Sequence, residues 1–384
     1  MLKLTDISQC SGCTACMAVC PRDAITMKPD VLGFKYPHVN EDLCVECGLC
    51  EAVCDFKRRG KIDDDGKDVK VFAARHCDDA VLRASQSGGL FSALSDVVLK
   101  EGGVIYGAVF DGNHMVEHAR AEDTVGRNLM RGSKYIQSDL KDTFRNVLRD
   151  LRIGNRVMFV GTPCQVAGLK SFIPSALHEQ LLLVDFICHG VPSPEVWKAY
   201  LAGLQKKHRI VKADFRDKAV EGWKVHKESF LYEDDHLKVR ETFKVLFYKN
   251  IMLRHSCGAC NYNVCNRASD IVMADFWGLS EIMPEMDGGS GTSMAICLTE
   301  KGKRYFEAAS ENLMIHGLEI PLSHLAKYNP NVLNRTRIHH ERNAFEKAFA
   351  QKGFRYVAAR WGDRGWRYKV WQLKCLFRKL KGKA

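Results

Sequence analysis

Eight of the sixteen cysteines fall into two copies of one spacing. Cys10, Cys13, Cys16 and Cys20 form a C-x2-C-x2-C-x3-C run closed by Pro21, and Cys44, Cys47, Cys50 and Cys54 repeat it 34 residues later. Thiolates are soft ligands, and four of them so spaced suit the corners of an iron–sulfur cubane. Gly12 and Gly48 permit the tight loop in which backbone N–H groups approach cluster sulfides. The chemistry expected is transfer of single electrons. Disulfides fit poorly, because no secretory signal precedes the runs and closely set thiols point to a reducing compartment. Zinc sites pair two C-x2-C units instead of setting four cysteines in one run.

The doubled run resembles that of two-cluster bacterial ferredoxins. The resemblance implies a crossed ligand set, because the fourth cysteine of each run serves the neighbouring cluster. Cys10, Cys13, Cys16 and Cys54 then hold one [4Fe–4S] cluster, and Cys44, Cys47, Cys50 and Cys20 hold the other. Asp55 stands where the pattern has a second proline, a departure expected to matter little. Segments 24–27 and 33–39 read as a hairpin over the clusters.

The elements that must position further chemistry lie beyond this module. At 384 residues the chain has room for two or three domains. Residues 1–57 are read as the ferredoxin domain and 58–70, with Asp63-Asp64-Asp65-Gly66, as a charged linker. Residues 71–335 alternate strand and helix patterns and are read as an α/β body, with parts at about 71–150 and 151–335. The fold class expected is therefore mixed, an α+β ferredoxin module on an α/β body. Strands are expected at 69–74, 103–110, 156–160 and 181–188, and among 210–248, including 243–248. Helices are expected at 90–99, 139–151, 300–316 and 340–351. No apolar run is long enough for a transmembrane helix.

Charge is concentrated at one end. Of the net +11, all but one unit lies in residues 351–384, which hold eleven Lys or Arg and one acid, Asp363. The segment 336–384 is read as helical. Trp366, Val370, Leu373, Phe377 and Leu380 recur at helical spacing among cations, which fits either an anionic membrane surface or packing on the body or a partner. No nucleic-acid-binding motif accompanies the charge.

Cys164 and Cys188 end two strand patterns, where sites gather in α/β folds, and Cys257, Cys260 and Cys265 follow. Each alone is as consistent with a buried inert cysteine, and the C-x2-C pair with zinc or a redox dithiol. Together with their surroundings they are recognisable. The segments Ser85-Gln86-Ser87-Gly88-Gly89, 132–138 (GSKYIQS), 161–165 (GTPCQ), 188–194 (CHGVPSP) and 269–278 (SDIVMADFWG) resemble the family of coenzyme F420-reducing hydrogenase/dehydrogenase β subunits, from about residue 70 to 335.

The resemblance implies a third [4Fe–4S] cluster on Cys164, Cys188, Cys257 and Cys260, with Cys265 an extra cysteine that packs or replaces one of the last two. It also implies FAD. Ser87-Gly88-Gly89 would offer N–H groups at a helix start, Ser85 and Ser87 would offer hydroxyls, and Lys134 a cation beside the flavin or its phosphates. Without that resemblance the segment is a helix cap and Lys134 a surface lysine. His189 is expected either to relay a proton or to hold the Cys188 loop, and Asp275 to cap a loop. Cys77, Cys297 and Cys375 are read as packing or surface cysteines.

The function implied is an iron–sulfur, flavin-containing oxidoreductase. It would pass electrons through three clusters to coenzyme F420 or to another small, sugar-linked or lipid-linked acceptor. Alternatives are an electron-transfer subunit without chemistry of its own, and an accessory protein of bacterial polysaccharide synthesis. The expected partners are an electron-donor or electron-acceptor protein and a membrane surface at the basic tail. The expected location is the cytoplasm, including the inner face of the membrane.

Overall fold

The computed structural model describes residues 2–60, 68–363, 365, 368 and 370. The central part of the linker and most of the basic stripe, including Trp366, Leu373, Phe377 and Leu380, lie outside them. Among the described residues thirteen strands make three sheets. In chain order they are β1 (Ile25–Pro29), β2 (Lys35–Val39), β3 (Asp68–His76), β4 (Val104–Phe110), β5 (Val116–Ala121), β6 (Val157–Gly161), β7 (Leu181–Phe186), β8 (Ile210–Asp214), β9 (Glu228–Tyr232), β10 (Leu237–Arg240), β11 (Ile271–Asp275), β12 (Ser293–Cys297) and β13 (Leu313–Pro321).

The body is one eight-stranded sheet ordered β13-β3-β12-β11-β7-β6-β4-β5. Its centre, β11, β7, β6 and β4, is parallel, and the flanking pairs are antiparallel. The parallel strands are nearly continuous apolar runs, as strands covered on both faces require. Val157, Met158, Phe159 and Leu181 to Val184 are all buried. Adjacent parallel strands β6, β7 and β11 run into Cys164, Cys188 and Asp275, so three chemistry-bearing positions meet at one edge of the sheet. A smaller antiparallel sheet, β10-β9-β8, packs with the helix Pro194–Leu204 around Trp197, Tyr200, Phe215, Phe230 and Phe243.

Three pattern readings are corrected. Residues Thr242–Tyr248 form a helix, not a strand. Phe243, Leu246 and Phe247 are buried at spacings of three and one, a helical face that a short apolar run hides. The expected helix 300–316 stops at Ala309, and Leu313–Pro321 pairs with β3 as an edge strand. The helix expected from 139 starts at Thr143. In the C-terminal helix Arg342–Arg360 the path breaks at Gly353, whose φ of +70° only glycine adopts readily. Beyond it, the Tyr368 hydroxyl donates to Glu241 at 2.9 Å and Val370 is exposed. No described helix is long and apolar enough to cross a membrane.

The ferredoxin module, with its β1–β2 hairpin, is bound to the body by a shared core and by arginines. Ala15, Ala18 and Val53 are buried with Phe144, Phe159 and Val166. Arg145 donates to the carbonyls of Ala18 (3.1 Å), Met17 (3.1 Å) and Cys20 (3.3 Å) at the C-terminal end of the short helix Ala15–Val19. The Ser193 hydroxyl donates to the Leu32 carbonyl at 2.6 Å. Asp55 is not neutral to the design. It accepts from the Tyr262 hydroxyl at 2.8 Å and from Arg59 at 2.7 and 3.0 Å, tying the end of the second cysteine run to the loop after Cys260.

The tightest contact lies at Gly168, in the helix Pro163–Phe172. A Cβ there would stand 2.6 Å from Cys13 Sγ and 2.8 Å from Cys13 Cβ. Gly to Ala inside a helix ordinarily stabilises by about 1 kcal/mol. Gly168→Ala is expected to do the reverse, lowering the thermal unfolding midpoint and speeding proteolysis between residues 60 and 68. A stabilised variant with unchanged proteolysis would contradict this docking.

Candidate redox site

Two cavities open inside the ferredoxin module. One is lined by Cys10, Cys13, Cys16 and Cys54, with Met27 and Phe56. The other is lined by Cys20, Cys44 and Cys47. Cys50 borders both. The fourth cysteine of each run thus lines the cavity of the other run. Gly12 and Gly48, at φ +71° and +76°, make the turns between ligands. The Cys44 side is the outer one, with Cys47, Leu43, Val45 and Leu49 exposed.

The inner cavity is a poor place for free thiols. Burial pushes Cys13 up to about 12, and the neighbouring Cys10, Cys54 and Cys164 add to the rise. Cys16 and Cys54 are raised for the same reason. Buried thiols crowded on one another become thiolates only when a cation compensates them. No disulfide joins any described cysteine. A single zinc ion, with bonds of about 2.3 Å, would hold its sulfurs about 3.8 Å apart. Among the described residues only His339, His340 and Glu341 bring three such ligand atoms within 4.8 Å of one another. The cysteine groups are wider, as a multi-iron centre requires.

A third thiol group forms where β6 and β7 end. Thr162 starts the helix of Cys164, its N–H donating to Gln165 Oε1 at 2.9 Å, and Pro163 follows in the first turn. The Thr162 hydroxyl lies 3.2 Å from Cys164 Sγ. Cys188 follows β7, and Arg267 holds that strand end through an ion pair with buried Asp185 (3.2 Å) and a bond to the Phe186 carbonyl (3.0 Å). Cys257 Sγ accepts from the Val191 N–H at 3.4 Å. Burial raises Cys188 well above its ordinary range, and Cys257, Cys164 and Cys260 raise it further. Cys257 and Cys260 are pushed to about 12 and about 11, again mainly by burial. Cys265 instead packs beside Val264, Val272 and Phe276. Cys297 packs against the core and Cys77 is exposed. Cys375 lies outside the described residues.

The fold brings His189 next to this group, with both ring nitrogens engaged. Nε2 lies 2.7 Å from Asn250 Oδ1 and Nδ1 3.1 Å from Asn331 Oδ1. The Thr336 hydroxyl donates to the His189 carbonyl. These bonds hold the loop of Cys188; a proton relay would have to break one of them. Beyond the imidazole come aromatic rings in contact: Phe247 (5.0 Å between centroids), then Tyr135 (5.2 Å), then His226 (4.5 Å). Burial pushes His226 down to about 3, so its ring is neutral.

The groups expected to grip a flavin have other partners. Ser85 Oγ donates to the Val81 carbonyl at 2.7 Å and Ser87 Oγ to the Thr292 carbonyl at 2.8 Å. The Gly88 N–H donates to Ser293 Oγ at 3.0 Å. A Cβ on Gly88 would lie 2.2 Å from the Ala74 carbonyl, so this glycine serves the approach of β3 and β12. Gly89 makes the left-handed turn into the helix Leu90–Lys100. Lys134 donates to the carbonyls of Met130 (3.3 Å), Arg131 (2.9 Å) and Gly132 (3.2 Å), and burial lowers it to about 8. Each of these polar groups meets another group of the protein before a ligand can claim it.

A second cluster adjoins this segment. Arg216, almost fully buried, donates to Asp275 Oδ2 at 2.5 Å and to the Trp223 carbonyl at 2.9 Å, and lies over Trp277. Asp275 is therefore an ion-pair partner, not a loop cap. Trp223 and Trp277 stack at 4.8 Å. Lys218 reaches the carbonyls of Ser85 (3.3 Å) and Ser87 (3.2 Å), joining this cluster to the glycine segment. Arg216 Nε, Trp223 Nε1, Gln86 Nε2 and His76 Nε2 are buried with no protein partner. Buried nitrogens so left are where an ordered water or a polar ligand would bond. Sequence reasoning missed Arg216, Lys218 and Trp223; only Trp277 lay in a recognised segment.

Two stretches of the chain match known protein families. Residues 154–321 match the family described as the C terminus of the coenzyme F420 hydrogenase/dehydrogenase beta chain, and contain Cys164, Cys188, Cys257 and Cys260. Residues 9–57 match the 4Fe-4S dicluster domain. One subunit of the F(420)H(2) dehydrogenase of Methanosarcina mazei is 25% identical over 202 residues, 48% of this chain. The match takes in 56% of that protein, so this chain spans about half the length of its curated relative. A chain in a solved structure of the F420-reducing NiFe hydrogenase complex of Methanosarcina barkeri has a similar fold, with a TM-score of 0.50 and 18% identity over 74% of this chain and 94% of that one. The chain joins a segment that matches the 4Fe-4S dicluster domain to a body that, over residues 154–321, is similar to the family of coenzyme F420 hydrogenase/dehydrogenase beta subunits.

Proposed function

We propose that this chain is an iron–sulfur oxidoreductase that conducts electrons between a partner protein and an organic acceptor held in its body. The observation that carries the reading is the position of the third thiol group. Cys164 crowds Cys13 of the inner ferredoxin group on one side, and Cys188 leads through His189 to the aromatic and Arg216–Trp277 cluster on the other. When bound, [4Fe–4S] clusters supply one-electron transfer and a flavin supplies the exchange between one and two electrons.

The chain's own residues divide the remaining work. Cys10, Cys13, Cys16 and Cys54 would hold the inner ferredoxin cluster, Cys20, Cys44, Cys47 and Cys50 the outer, and Cys164, Cys188, Cys257 and Cys260 the body cluster. The exposed Leu43, Val45 and Leu49 around the outer group offer a partner an apolar contact. Trp277 and Trp223 would stack on a flat ring, Arg216 and Lys218 would oppose acidic groups of FAD, and the aromatic rings beside His189 would exclude water. The relatives' names make coenzyme F420 the first acceptor to test. The prior engagement of Ser85, Ser87, Gly88 and Lys134 favours one second reading, an electron-transfer protein that binds no flavin.

Purified without oxygen, the chain is expected to hold about twelve irons and as many sulfides, with flavin in the same sample. Cys188→Ser and Cys257→Ser should each lose about four irons and keep the ferredoxin eight. Loss of all iron from either variant, or of none, would overturn the third site. Trp277→Ala should release flavin at unchanged iron content. Fully iron-loaded wild-type protein without flavin would establish the second reading instead.

A further inference from the structure

Arg254 stands at the junction of the inner ferredoxin group and the body group. It is 1% exposed. Its Nε donates to the Cys10 carbonyl at 2.9 Å, Nη1 to Gln137 Oε1 at 2.9 Å, and Nη2 to the Lys35 carbonyl at 2.9 Å. Nη2 also lies 3.8 Å from Cys10 Sγ. The guanidinium is 4.1 Å from the centre of the Tyr36 ring. A Cβ on Gly12, inside the first cysteine run, would come within 2.9 Å of Nη1.

The carbonyls, the amide and the ring are all neutral, and among the described residues no ion pair includes Arg254. A buried guanidinium without an anion is costly, and proteins supply one. The nearby groups able to become anionic are cysteines and Asp30, whose Oδ1 is taken by the Leu32 and Phe34 N–H groups at 2.9 Å each. Arg254 touches Cys10 on one side, and on the other its carbonyl accepts from the Cys257 N–H at 3.0 Å while its own N–H donates to the Val191 carbonyl at 3.1 Å, beside Cys257 Sγ. The anion it faces is the thiolate-ligated centre on either side. A lysine could carry the charge, but only the planar fork reaches all three acceptors while lying on a ring.

We propose that Arg254 raises the reduction potentials of the inner ferredoxin site and the body site together, by fixing one buried positive charge and an N–H contact to sulfur between them. The inference rests on the three-cluster reading above. A reduced cluster carries one more negative charge than an oxidised one, so a fixed cation stabilises the reduced form more. The outer group lies away from this charge. Arg254 therefore makes the interior the downhill destination for an electron that arrives at the outer face, and it acts through ligands instead of touching an acceptor.

The test is an anaerobic redox titration of the full chain followed by electron paramagnetic resonance, on samples whose iron and sulfide have been measured. In Arg254→Met two of the three cluster signals should titrate at lower potential, with electron uptake weakened about tenfold, or about 59 mV for one electron. The third signal should stay in place. Gln137→Glu should shift the same two signals in the same direction, because its carboxylate pairs with the retained guanidinium, and this variant decides the matter if Arg254→Met loses iron. Arg254→Lys should restore most of the potential. Unmoved signals in iron-replete Gln137→Glu or Arg254→Met, or an equal shift of all three, would overturn the proposal. A wild-type chain with well under twelve irons would instead overturn the three-cluster reading, so the two failures are distinguishable.

Discussion

The structure depends on how close Cys13 comes to the helix that begins at Cys164. Two cysteine groups in separate folding units become neighbours only if the walls that carry them touch. Gly168 removes the one side-chain carbon that would hold them apart. Ala15 and Ala18 present small apolar surfaces to Phe144 and Phe159. Arg145 then bonds the carbonyls at the end of a five-residue helix. None of these contacts is large. Together they turn a ferredoxin module that could have been a loosely tethered carrier into part of the body's core.

That approach has an electrostatic consequence. Two groups of cysteines, the inner ferredoxin group and the body group, gather in surroundings that resist ionisation, as the raised thiols of Cys13, Cys188 and Cys257 show. Cations are placed accordingly. Arg254 lies between two groups, Arg145 lies under the short helix of the first run, and Arg267 lies behind Cys188. The carboxylate of Asp55 belongs to the same system. It sits where a proline would be inert and engages Tyr262 and Arg59 across the joint. A residue that breaks the local pattern of a cysteine run does so for a contact roughly 200 residues away, which that pattern has no means to express.

Legibility follows the range of the interactions. The ferredoxin runs, the β1–β2 hairpin and the central strands are governed by neighbours within a few residues, and spacing alone announces them. Cys164 and Cys188 could be found because strand ends gather sites, whereas Cys257 and Cys260 needed the family resemblance. Helix Thr242–Tyr248 was hidden because a short, mostly apolar run satisfies strand and helix alike. β13 was hidden because its pairing with β3 bridges well over two hundred residues. Arg216 and Arg254 carried no signal at all. Each is an isolated arginine in sequence and becomes distinctive only when distant backbone and aromatic groups close around it.

The glycine segment shows that small residues expected to face a ligand can be committed to the fold itself. Ser85 to Gly89 lies beside His76, and Lys218 joins it to the Arg216 cluster through the Ser85 and Ser87 carbonyls. Yet its hydroxyls and the Gly88 N–H are satisfied by Val81, Thr292 and Ser293 before any ligand arrives. The physical reason is that β3 and β12 close on Gly88 too tightly to leave an unpaired donor. The segment builds the wall, and Arg216, Lys218 and the two tryptophans face what it encloses. A motif of small residues therefore marks where backbone must pass close to backbone, and the groups that recognise a ligand are better sought among buried long side chains whose nitrogens the fold leaves without partners.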